Sequence, residues 1–235
     1  MSSKIAVFVV AAAMVCLLSG TLWASSSFLS TSGAILTPDD TVLGASDFSL
    51  DYHQFELSDK AVNFGANVGV TSSLELGIAR FDSDKAGADP ETILNAKYLV
   101  LAETVNRPSL LVGLVDATGE LDPDDNPGFY AVIGKNLTPL ATGFTGEPVN
   151  PIKGYVGIGS GIYNGLFAGV EWTLTPKVQV MGEFINELNI KNTIAEKSVF
   201  NVGARLTISE SLTADIANIN GDDWGFGLSY VKAGL

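Results

Sequence analysis

Val70-Thr71-Ser72-Ser73-Leu74, Leu174-Thr175-Pro176-Lys177-Val178 and Ile208-Ser209-Glu210-Ser211-Leu212 are three versions of one short unit. Each joins two runs in which apolar residues alternate with small or polar ones. Thr, Ser and Pro favour turn geometry and alternation at period two marks a strand, so each unit reads as a tight turn between antiparallel strands. Before the first unit, Val62, Phe64, Ala66, Val68 and Val70 share one face, with Asn63, Gly65, Asn67 and Gly69 on the other. The same division sets Leu166, Ala168, Val170, Trp172 and Leu174 against Phe167, Gly169, Glu171 and Thr173. It also sets Trp224, Phe226, Leu228 and Tyr230 against Gly225, Gly227 and Ser229.

Working outward from these units, about twelve strands are expected. They cover 46–57, 61–70, 74–82, 92–103, 109–117, 128–137, 153–161, 164–175, 178–185, 198–208, 212–220 and 223–233. Most have the length of about 9 to 11 residues that a tilted strand needs to cross a bilayer. A soluble sandwich also alternates, with its apolar face turned inward, so periodicity alone does not separate water from lipid. Glycines within strands suit a curved barrel wall. Tyr52, Tyr98, Trp172, Trp224 and Tyr230 lie on the apolar face, as interfacial aromatics do. All three hairpins follow even-numbered strands and so lie at one end of a meander. The longer acidic links 82–91, 118–127 and 186–197 follow odd ones. Long loops outside and short turns inside is the barrel pattern. The segment 138–153 breaks it, and no helix is expected after residue 30. The last strand is expected to close on Tyr230 or on Leu235.

Residues 1–24 read as a cleaved signal peptide: one Lys4, an apolar run from Ile5 to Leu18, then small residues. Cys16, the one cysteine, falls inside it, which leaves no disulfide, thiol nucleophile or thiolate metal site downstream. Against 13 Lys and Arg stand 26 Asp and Glu, a formal charge of −13. Nucleic acid is excluded as a partner, because its recognition rests on cations that neutralise phosphate. Residues 25–45 form an N-terminal segment, of which the serine-rich Ser25 to Ser32 is expected to be flexible. Residues 46–235 form the barrel. The fold class is therefore all-β: an antiparallel up-and-down transmembrane barrel behind a signal peptide.

The functional candidates are charges on the inward face: Glu75, Lys97, Lys135, Glu171, Glu183, Arg205 and Asp215. Buried charge must be paired or wet, so these either line an aqueous path or form ion pairs that plug it. A twelve-stranded barrel is narrow beside the open porins of 16 to 18 strands, which favours the plug. His53 is the only histidine and suggests a general base of a membrane hydrolase, with Ser49 or Asp51 on its face. Residues four apart on a strand are about 13 Å apart, however, and no nucleophile elbow accompanies it. Asp122-Pro123-Asp124-Asp125-Asn126-Pro127 lacks the spacing of a calcium loop and reads as a solvated acidic turn. No cofactor or metal is expected.

Gly33-Ala34-Ile35-Leu36-Thr37-Pro38-Asp39-Asp40-Thr41-Val42-Leu43, followed by Phe48-Ser49-Leu50-Asp51-Tyr52-His53, resembles the start of the YjbH-like group of outer-membrane barrel proteins, over about residues 31–81. The resemblance implies the barrel architecture and a link to exopolysaccharide secretion. The expectation is an outer-membrane protein acting as a structural or narrow transport component. Its partners would be membrane lipid, the barrel assembly machinery, and a polysaccharide or small solute as cargo. The alternatives are an outer-membrane hydrolase using His53 and a secreted soluble β-protein that binds a ligand.

Overall fold

The computed structural model describes residues 24–57, 59–146, 149–191 and 194–234. Residues 1–23, and with them most of the signal segment and Cys16, lie outside the described residues, as does Leu235. Twelve strands follow in chain order: β1 Phe48–Leu57, β2 Asp59–Thr71, β3 Leu74–Ser83, β4 Glu91–Leu101, β5 Ser109–Val115, β6 Gly128–Asn136, β7 Ile152–Gly159, β8 Gly165–Thr175, β9 Val178–Ile190, β10 Ile194–Ser209, β11 Leu212–Ile219 and β12 Asp223–Lys232. Each pairs antiparallel with its neighbours in sequence. β1 closes on β12, from Phe48 opposite Lys232 to Phe55 opposite Gly225. Closure leaves no free sheet edge.

The three repeated units share one hydrogen-bonding scheme. The second-position hydroxyl of each accepts main-chain N–H groups two or three residues on: Thr71 from Ser73 and Leu74, Thr175 from Lys177 and Val178, Ser209 from Ser211. The fourth-position carbonyl of each, Ser73, Lys177 or Ser211, accepts an N–H from the following strand, at Leu99, Thr207 and Val231. Each turn also carries a register shift in its strand pair. The local sequence thus sets turn, bulge and twist together.

Two expectations about links need correction. The acidic stretch 186–197 is mostly strand, because β9 and β10 extend well beyond the bilayer length. Residues 138–153 contain an eight-residue helix, α1 Thr138–Thr145, started by Pro139 and ended at Gly146 with φ 74°.

The apolar face is turned outward. Phe64, Ile78, Ile133, Val156 and Phe226 are each more than half exposed, and they sit within their strands where a soluble protein would bury them. An apolar belt of this size around a closed barrel is a lipid-facing surface. Tyr98, Trp172 and Tyr230 mark its rim at the hairpin end, and Trp224 marks the other. Tyr52 is at mid-strand, opposite Phe64 and Leu228, so it does not belong to a girdle.

The interior departs most from expectation. Every residue from Ser25 to Asp40 is buried, because the N-terminal segment runs through the lumen before the chain enters β1. The serine-rich stretch expected to be flexible is packed instead, since small hydroxyl side chains fit a polar lumen and satisfy its hydrogen bonds. Inward residues near the loop end are apolar: Phe55, Phe81, Ile93, Val115, Phe167 and Ile185. Phe28 of the segment stacks on Phe55 with ring centroids 5.7 Å apart. Leu121, Ile162 and Tyr163 fold over the same cluster from the loops. The barrel therefore has an apolar core at the loop end and a charged interior toward the hairpin end.

Candidate functional site

The charged residues of the wall converge on the N-terminal segment. Glu75 and Lys97 are directly opposite across β3 and β4, but Ser32 sits between them. Its hydroxyl donates to Glu75 at 2.7 Å and accepts from Lys97 at 2.9 Å. Glu75 also accepts the main-chain N–H of Ser32 at 3.2 Å and of Leu43 at 2.8 Å. Lys97 also donates to the Ser32 carbonyl at 2.6 Å.

Glu183 receives the tip of the segment. The N–H groups of Ile35, Leu36 and Thr37 donate to its carboxylate at 3.2, 2.8 and 3.1 Å, and the Thr37 hydroxyl does so at 2.8 Å. Successive N–H groups turned one way form an anion-binding nest, here filled by a side chain of the wall. Asn201 Nδ2, opposite Glu183 in register, completes the shell at 2.7 Å.

Arg205 pairs with Asp215 at 2.8 Å and spreads its other donors over the carbonyls of Ser26, Gly33 and Ala34. Beyond Asp215 lies His53, with Nε2 3.9 Å from Asp215 and Nδ1 3.4 Å from Asp51. Asp51 in turn accepts the hydroxyl of Ser30. His53 is wholly buried under Phe28, whose ring centroid is 4.9 Å away. The residue that suggested a general base thus belongs to a sealed network between wall and segment.

A third inward cation among the described residues is Lys153, which was not among the sequence candidates. It binds Asp39 at 2.9 Å and Asp40 at 2.6 Å, both from the segment. Burial alone would push the Asp39 carboxyl up. Lys153, and then Lys97 at 3.4 Å, hold it well below the usual carboxylate range instead. Lys153 begins β7 in alternation with Tyr155 and Gly157, and that parity was the available signal. Asp39 and Asp40 carried none, because nothing local places them in a barrel.

Lys135 is the candidate that the structure removes from the group. It falls on the outward face of β6, with Phe129, Ala131 and Ile133. Its side chain is bound at the rim to Glu103 at 3.0 Å and to the carbonyls of Thr104 and Val105. Asp122 is also not a solvated loop residue. It is buried and accepts from Asp124 N, Asn126 N and Asn126 Nδ2, so it organises its own turn.

Several wall glycines are the contact points for the segment. A side chain at Gly65 would meet Ser30, at Gly69 the Gly44 carbonyl, at Gly134 Asp40 and at Gly225 Phe28. At the hairpin end the filled lumen leaves a cavity of about 940 Å³, lined in part by Asp39, Lys153, Glu171, Gln179 and Arg205.

No family model matches the chain, and no curated protein matches its sequence. Among solved structures it is similar to the KdgM porin, at 13% identity over 77% of this chain and 98% of that one, with a TM-score of 0.55. It is also similar to the KdgM porin in complex with disordered oligogalacturonate, at 12% identity over 79% and 98%, with a TM-score of 0.52. The fold is that of outer-membrane porin-like barrels. The outward apolar belt agrees with that setting, and the filled lumen is what this chain builds inside it.

Proposed function

We propose that this chain is a porin-like outer-membrane channel component held closed by its own N-terminal segment. Passage of a solute would require that segment to shift. The observation that carries the reading is the unbroken burial of Ser25 to Asp40, anchored by Glu75, Lys97, Glu183 and Arg205. The short hairpins would face the periplasm and the long acidic loops the exterior, in keeping with known barrels. A polar, hydrogen-bonded plug differs from an apolar one in that each of its bonds can be exchanged for water when it moves.

The finer assignment to the YjbH-like group rests on residues 31–81, and part of that stretch, Gly33 to Leu43, lies in the plug. An envelope-polysaccharide cargo, which that resemblance implies, would need the same displacement.

Conductance in planar bilayers tests the proposal. The wild-type barrel is expected to show rare, brief openings, and a variant without residues 25–43 a steady conductance. If both remain silent across voltages, the barrel is a structural element. If the wild type is as open as the truncated form, the plug does not close it.

A further inference from the structure

Among the described residues of the lumen, carboxylates outnumber cations, and all but one of those that the segment or its anchors engage have a donor or a cation on each side. Glu75 and Glu183 take several N–H donors each, Asp215 pairs with Arg205, and Asp39 and Asp40 share Lys153. Glu171 is the exception. Its register partner across β7 and β8 is Lys153, but Lys153 is drawn away to the two aspartates of the segment. Glu171 keeps one donor, Gln179 Nε2 at 2.7 Å on Oε2. Its Oε1 has no hydrogen-bond partner among the described residues, although the residue is only 7% exposed.

A buried carboxylate with half its acceptors empty is costly, and a donor that brings positive charge relieves both the hydrogen-bond deficit and the charge imbalance. Glu171 lines the cavity of about 940 Å³ that opens at the hairpin end, within the size range of small-molecule sites. The surrounding wall supplies Thr173, Gln179, Thr207 and Thr213, all of them uncharged polar groups. Of the cations that line it, Lys153 and Arg205 are already neutralised by Asp39, Asp40 and Asp215, and Lys177 lies exposed in the β8–β9 turn, with Glu103 and Glu210 as further lining carboxylates.

From this we infer that the hairpin-end cavity is a binding site for a small amine-bearing cation, with Glu171 as the acceptor of its ammonium group. The plug creates the site, since Lys153 would otherwise face Glu171. The inference concerns the closed barrel and does not require that it conduct, so its failure leaves the channel proposal standing.

Isothermal titration of the full barrel in detergent tests it, with 1,5-diaminopentane as probe and 1,5-pentanediol as its uncharged counterpart of similar shape. The diamine is expected to bind at least about tenfold more tightly than the diol, the range of a charge-assisted hydrogen bond. Glu171→Gln keeps the side-chain shape and is expected to reduce diamine binding to the level of the diol. Thr173→Lys places a tethered ammonium on the same face two residues away, and is expected to abolish diamine binding by occupying the carboxylate. Heat-dependent gel mobility confirms that each variant is folded. Equal binding of the two probes, no binding of the diamine, or an unchanged affinity in both variants would overturn the inference.

Discussion

Replacing Glu183 by Gln is the sharpest test of how the plug is held. The wild-type carboxylate accepts five donors: three successive main-chain N–H groups of the segment, the Thr37 hydroxyl and Asn201 Nδ2. An amide keeps the shape but offers one acceptor oxygen. If that oxygen takes the Oε2 position, it serves Ile35, Thr37 N and the Thr37 hydroxyl, while its NH2 group meets the donors of Leu36 and Asn201. Two donors then face a donor, and the remaining bonds lose their charge assistance. At about 1–3 kcal/mol for each unsatisfied buried group, the loss is about 2–6 kcal/mol. With about 1.4 kcal/mol for each factor of ten, the displaced fraction of the plug rises at least about thirtyfold. The assay is labelling of a buried thiol. Ser27→Cys changes little sterically, since the Ser27 hydroxyl makes only a 3.4 Å bond to Leu29 N, and Cys16 is replaced by Ser to leave one reporter. Residue 27 is wholly buried, so a thiol reagent reacts only when the segment moves. A labelling rate that Glu183→Gln leaves within a factor of two would refute the view that the nest anchors the plug.

Gly65→Leu is expected to leave the barrel folded, because its lipid face is unchanged, yet to raise conductance by displacing Ser30. Gly182→Ala, which meets nothing closer than 3.9 Å, is expected to do neither. Lys135→Ala is expected to change stability by less than about 1 kcal/mol, as for other partly exposed ion pairs, and to leave conductance unaltered; any clear rise in conductance contradicts its rim position. Thr71→Val removes an acceptor from two main-chain donors and is expected to lower the unfolding midpoint slightly, about 1 kcal/mol or less for an exposed turn, with the plug undisturbed in the labelling assay. Asp39 has a folded-state pKa below its unfolded one, so it stabilises the plugged state above the unfolded carboxylate value of about 4 and loses that contribution as pH falls below it. Conductance recorded from pH 7 down to 3 is expected to rise below about pH 4; a flat record would show that Asp39 does not hold the segment.

The alternation in β2, β8 and β12 and the three hairpin units made the strands, their order and their common end legible from sequence. Period two and hydroxyl-capped turns are local properties, so no distant contact was needed to read them. The inward parity of Glu75, Glu183, Arg205 and Asp215 followed from the same rule. It failed at Lys135, whose strand mixes apolar residues on both faces. The plug was not legible. Ser25 to Ser32 has the composition of a flexible tail, and only a closed wall of inward carboxylates and glycines turns its hydroxyls and N–H groups into contacts. The bonds that decide the interior join Thr37 to Glu183, Asp39 to Lys153 and Gly33 to Arg205, across more than a hundred residues each. Local alternation was enough to set a meander of amphipathic strands, because each residue's side of the sheet depends only on its neighbours, and the strand glycines, aromatics and loop lengths turned its apolar face toward lipid. That the lumen is filled came from the closed barrel alone, because it depends on joining β1 to β12 around a segment with no periodic signal of its own.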